Sequence, residues 1–131
     1  MRGGLGLAVV GSSLLALSPT HAETIEKSVP GDRSTKIDHY TGWNDDCSFK
    51  EIWVGVTASP SHGTVTHHIA NGRITAEAKI GSSGTCAGKP TKVLELFYRP
   101  TRVFRGADGF TVNLRVDGSP AHVFDYRLTV Q

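Results

Sequence analysis

The sequence predicts an all-β sandwich, and three observations carry that expectation. From Ile25 onward, short runs rich in Val, Ile, Thr, Phe and Tyr alternate with clusters of Gly, Pro, Asn and Asp at strand-and-turn spacing. No stretch keeps apolar residues at i, i+3, i+4 and i+7 for long enough to make a helix. The two C-terminal runs alternate strictly between apolar and polar side chains, as strands with one buried face do.

Taken in order, strands are expected at about 24–29, 34–40, 49–57, 64–70, 73–80, 92–98, 110–117 and 122–130. In the third run Ile52, Val54 and Val56 share one side, with Phe49 and Trp53 on the other. A strand apolar on both faces is expected at the centre of a sheet. Asn71-Gly72 is the preferred pair for a type I′ turn, so the fourth and fifth runs are expected to form a hairpin. Counting outward pairs Ile69 with Ile74, His67 with Ala76 and Val65 with Ala78 on an apolar face, which makes His67 a core histidine. Residues 80–91 form a Gly/Ser/Pro-rich loop that carries Cys86. In the last hairpin Phe110, Val112, Leu114 and Val116 face one way, as do Phe124, Tyr126, Leu128 and Val130 after the turn Asp117-Gly118-Ser119-Pro120.

The N-terminus reads as an export signal over residues 1–22. Arg2 supplies a positive charge, residues 5–17 a mostly apolar run, and Thr20-His21-Ala22 the small residues of a cleavage site. The run falls short of the roughly 20 apolar residues of a spanning helix and is weakened by Gly6, Gly11, Ser12 and Ser13. No cysteine near the cut offers a lipid anchor, and no later segment reads as a transmembrane span. Residues 23–131 are therefore expected to be one exported domain, periplasmic or secreted. In an oxidising compartment the two cysteines, Cys47 and Cys86, are expected to form a disulfide. The alternative of free or metal-bound thiols lacks the close C-x-x-C spacing of zinc sites. With Lys+Arg 14 against Asp+Glu 12 the net charge is +2, without the basic excess of a nucleic-acid binder.

The segment from Tyr98 to Phe110 reads Y-R-P-T-R-V-F-R-G-A-D-G-F, with Tyr98-x-Pro100 followed by Phe104-x-Gly106-x-Asp108-x-Phe110. Upstream, Pro60-x-His62-Gly63-Thr64-Val65 leads from a turn into a strand. Together these resemble bacterial immunoglobulin-like or cadherin-like domains across about residues 47–130. The resemblance implies an immunoglobulin-like antiparallel β-sandwich of seven to eight strands, to which the cysteine pair adds one disulfide. In physical terms, Pro100 fixes φ where the chain leaves a strand, Gly106 permits a tight conformation, and Asp108 can accept from backbone N–H groups. Phe104 and Phe110 then pin the corner to the core. Such domains commonly recur in tandem within large surface proteins. A single copy behind an export signal points to a partner of its own.

No residue is assigned a catalytic, metal or cofactor role. His67 and His68 are adjacent in a strand and point to opposite faces, so they cannot chelate one ion, and His39, His62 and His122 lie apart in the chain. The acidic loop Asn44-Asp45-Asp46 and Asp108 lack the calcium-loop pattern and are read as turn-capping residues. Gly81-Ser82-Ser83-Gly84 would need glycine at Thr85 to make a nucleophile elbow. Two features fit recognition: a basic patch of Arg99, Arg102 and Arg105, for which a solvated loop is the favoured reading, and the loop aromatics Tyr40 and Trp43, for which core packing is the favoured use. The expectation is a non-catalytic domain whose partner is an envelope or extracellular protein. The alternatives are a carbohydrate- or cell-wall-binding module using Tyr40 and Trp43, and a small inhibitor or accessory subunit of a secreted enzyme.

Overall fold

The computed structural model describes Gly3 and residues 22–75 and 86–131. The expected export signal, save Gly3 and Ala22, and the expected strand residues 76–80 lie outside the described residues. Strands β1 (Glu23–Val29), β2 (Thr35–Tyr40), β3 (Ile52–Ala58), β4 (Gly63–Arg73), β5 (Pro90–Pro100), β6 (Gly106–Val116) and β7 (His122–Val130) form two sheets. One runs in the order β1-β7-β6-β3 and the other β2-β5-β4. This is the expected β-sandwich, with the immunoglobulin partition of β2, β5 and β4 opposite β3, β6 and β7. The sheets are not wholly antiparallel, because β1 pairs with β7 in parallel.

The period-2 pattern of the C-terminal runs translates directly into the core. Phe110, Val112, Leu114 and Val116 of β6 and Phe124, Tyr126, Leu128 and Val130 of β7 are all buried. They meet Ile37 and Tyr40 from β2 and Leu94, Leu96 and Tyr98 from β5 across the sandwich. Each such side chain withdrawn from water contributes about 2 kcal/mol before entropy is counted.

Two sequence expectations fail, for connected reasons. Asn71-Gly72 is not a turn: β4 continues through both residues, pairing Asn71 with Lys92 and Gly72 with Thr91 of β5. Neither residue has positive φ, as a type I′ turn would require. Gly72 instead lies under Val93, whose Cγ2 would stand 2.6 Å from any Cβ placed there. The eleven-residue ladder with β5 outweighs the local turn preference. Ile69 is consequently 46% exposed, and His67 is an exposed residue of an edge strand rather than part of the core. The second failure is β3, which stands at the edge of its sheet and not in the centre. Phe49 precedes the strand and packs against the core, but Trp53 turns outward and is 48% exposed.

Candidate functional site

The resemblance motifs converge on one corner of the sandwich, and their roles are structural. Tyr98 donates its hydroxyl to Asp108 at 2.6 Å, and the same carboxylate accepts the N–H groups of Ser61, His62 and Gly109 at 2.9–3.1 Å. Gly63 makes this possible, since a Cβ there would lie 2.4 Å from the Tyr98 ring. Gly106 takes the positive φ of 121° that the corner needs. Phe104 packs against the core and stacks on His62 at 4.1 Å, and Phe110 is buried. Burial alone would raise the Asp108 pKa, but the Tyr98 hydroxyl and the three backbone donors hold it below the usual carboxylate range.

At the opposite end, Cys47 and Cys86 form the expected disulfide, with Cα atoms 5.4 Å apart. It joins the β2–β3 loop to the β4–β5 connection. With Trp43 and Ile74, the pair builds a second small core. Local hydrogen bonds shape the β2–β3 loop: Cys47 donates its N–H to the Asn44 carbonyl, and Asp46 accepts the Ser48 N–H at 3.0 Å. The acidic residue Asp46 thus caps a turn, and the Ser48 hydroxyl and N–H lower its pKa.

The aromatic pair Tyr40 and Trp43 takes the favoured core-packing use and not the alternative of an exposed loop tip. Tyr40, the last residue of β2, is 1% exposed and Trp43 is 5% exposed, so neither ring can stack on a ligand. Tyr40 hydrogen-bonds Tyr126, whose hydroxyl also donates to Asp38 at 2.7 Å. Desolvation raises the pKa of Tyr40, Tyr98 and Tyr126, the only three tyrosines of the chain. For groups whose folded pKa is raised, the stabilisation is complete below the ordinary value of about 10 and is lost as pH climbs beyond it. Tyrosinate absorption should therefore stay flat through pH 10 and then rise together with the loss of β-sheet circular dichroism. A separate titration near pH 10 with the fold intact would contradict the buried network.

The arginines divide. Arg99 and Arg102 line one shallow depression with Asp32, Pro100 and Val103. Arg105 is taken up in the fold: it pairs with Asp32 at 2.9 Å and its guanidinium lies over Gly31. Asp32 also accepts the Val103 N–H, and that bond, with Arg105, lowers its pKa. Among the described residues no three His, Cys, Asp or Glu side chains gather where they could hold a metal ion. His68 stacks on Phe97 and bonds Glu95, which is also held by Lys36 at 3.1 Å.

The candidate site that emerges lies on the outer face of the β3–β6 pair, and sequence reasoning missed it. A depression of about 510 Å³ is lined by Trp53, Val54, Gly55, Thr57, Asn113 and Arg115. The register sets Trp53 beside Arg115 and Gly55 beside Asn113. Nothing lies within 4 Å of where a Cβ on Gly55 would stand, so the indole flanks an open floor. Arg115 has no ion-pair partner among the described residues. Composition pointed away from it: β3 reads I-W-V-G-V-T-A, with neither charge nor proline, whereas edge strands usually carry one or the other.

Fold and site together define a disulfide-clamped β-sandwich whose strand β3 lies at a sheet edge among the described residues and carries an exposed aromatic side chain. No protein-family model matches the chain, and neither the curated proteins nor the solved structures contain a match to it.

Proposed function

We propose that this chain is an exported, non-catalytic binding module that engages a protein partner along the β3 edge of its four-stranded sheet. One observation carries the reading: β3 is an uncharged, proline-free edge strand bearing the exposed Trp53 and Val56. Such an edge offers backbone hydrogen bonds to an added strand, while Trp and Arg are the side chains most enriched at binding hot spots. Export is supported by the charged, apolar and small-residue order of residues 1–22 and by the disulfide, which suits an oxidising compartment. The test is a photo-crosslinking amino acid placed in the full chain at Trp53, at Val56 or at Thr24 on the far strand β1, followed by expression in cells. Adducts are expected from positions 53 and 56 and not from 24. Equal yields at all three, or none from β3, would overturn the assignment.

A glycan-binding reading is favoured by a separate feature of the same face. The Trp53 indole borders the open floor at Gly55, with the amide of Asn113, the Thr57 hydroxyl and the Arg115 guanidinium around it. An apolar platform ringed by a few hydrogen-bonding groups suits a sugar ring. It predicts a Trp53 fluorescence change on titration with cell-wall oligosaccharides that Arg115→Ala weakens.

A further inference from the structure

The β3 edge is complementary to itself, and we infer that its partner is a second copy of this chain. The inference rests on the reading of β3 as a binding edge and names what binds there. Asp117 donates its N–H to the Glu51 carbonyl, which sets the phase of the β3–β6 ladder. Opposed residues in an antiparallel pair alternate between hydrogen-bonded and non-hydrogen-bonded, so Trp53 and Gly55 bond to β6. The N–H and C=O groups of Ile52, Val54 and Val56 consequently point away from β6, along an edge with no further strand among the described residues.

A second β3, running antiparallel about a two-fold axis at Val54, satisfies all of these groups at once. Val54 meets Val54 of the second copy, and Ile52 meets Val56, each as a hydrogen-bonded pair. On the outer face Trp53 then stands opposite Gly55 of the second copy. Each indole covers the floor where Gly55 leaves open space. On the inner face the apposed Ile52, Val54 and Val56 side chains cover Val56, which is 39% exposed in the single chain. The pairing ends before the bulge between Val56 and Ala58. Charge does not oppose it, since the paired residues 52–56 carry none. The same patch on both subunits is what a closed two-fold dimer requires, and the two four-stranded sheets become one continuous sheet.

Sedimentation of the mature, disulfide-intact protein from about 1 µM to about 1 mM tests this directly. A reversible monomer–dimer equilibrium is expected. Val56→Lys, which places a charge on an exposed edge position, should weaken it at least about tenfold without changing the circular dichroism. Val54→Cys should give a covalent dimer under mild oxidation, because two hydrogen-bonded positions across the axis lie about 5.5 Å apart. Cysteine at Thr129, on the outer face of β7, should not. A monomer across the whole range together with no crosslink at position 54 would overturn self-pairing. If the β3 photo-crosslinks then still captured a different protein, the binding-edge reading would stand and only the identity of the partner would fall. Adducts of twice the chain mass would instead agree with the dimer.

Discussion

Replacing Cys47 and Cys86 together by alanine should lower the unfolding free energy by about 4 kcal/mol, the largest loss expected from any one structural feature. The two residues are 39 apart in sequence, and releasing them returns the conformational freedom of that long loop to the unfolded chain. The folded state also loses something, since Cys86 is fully buried against Trp43 and Ile74. Cys47 itself sits at a φ of 69°, a conformation that L-residues adopt at some cost and that the cross-link helps to hold. Urea unfolding of the double variant checks the magnitude. In a Trp53→Phe background Trp43 becomes the only tryptophan, and its emission should shift to the red when the disulfide is reduced. A loss below about 1 kcal/mol would mean that the clamp does not constrain the unfolded chain.

Asp108→Ala should cost about 3 kcal/mol, because it strips four donors of one charged acceptor at a single corner. Water can reach the exposed Ser61 and His62, but not the Tyr98 ring, which is fully buried and packed on Gly63. Tyr98→Phe should cost about 1 kcal/mol on its own, and little when Asp108 is already alanine, so a double-mutant cycle will report strong coupling. The pH dependence has a definite direction. The folded pKa of Asp108 is depressed, so its stabilisation is complete above the unfolded value near 4 and disappears as pH falls through the lower folded value. Asp108→Asn should remove this contribution and flatten the acid limb of the stability profile. An unchanged acid limb would show that other carboxylates, such as Asp46 or Glu95, govern it.

Legibility followed the range of the physics involved. The alternation of β6 and β7 is a local pattern of period two, and it identified eight core residues of the final hairpin without reference to the rest of the chain. The disulfide followed from the expectation of export and a cysteine count of two. Asp108 was legible as an acceptor of backbone N–H groups. That two of those groups belong to Ser61 and His62, 47 and 46 residues away, was not. The exposure of Trp53 was not legible in the same way, whereas core packing was the favoured reading of Tyr40 and Trp43. A tryptophan in an apolar strand and one in a polar loop carry opposite local signals, yet the edge position exposes the first and the disulfide-capped core buries the second.

The sequence alone thus determined the class of fold, the faces of its C-terminal strands and the covalent clamp between two loops. Each depends on alternation, turn chemistry or cysteine count within a short reach of chain. Only the tertiary structure decided that β4 runs straight through Asn71-Gly72, because eleven paired residues with β5 outweigh the preference of one dipeptide. It also decided that β3 lies at an edge. Strand order is settled by which long-range pairings bury the most apolar surface together, and no local pattern within Ile52–Ala58 records that competition.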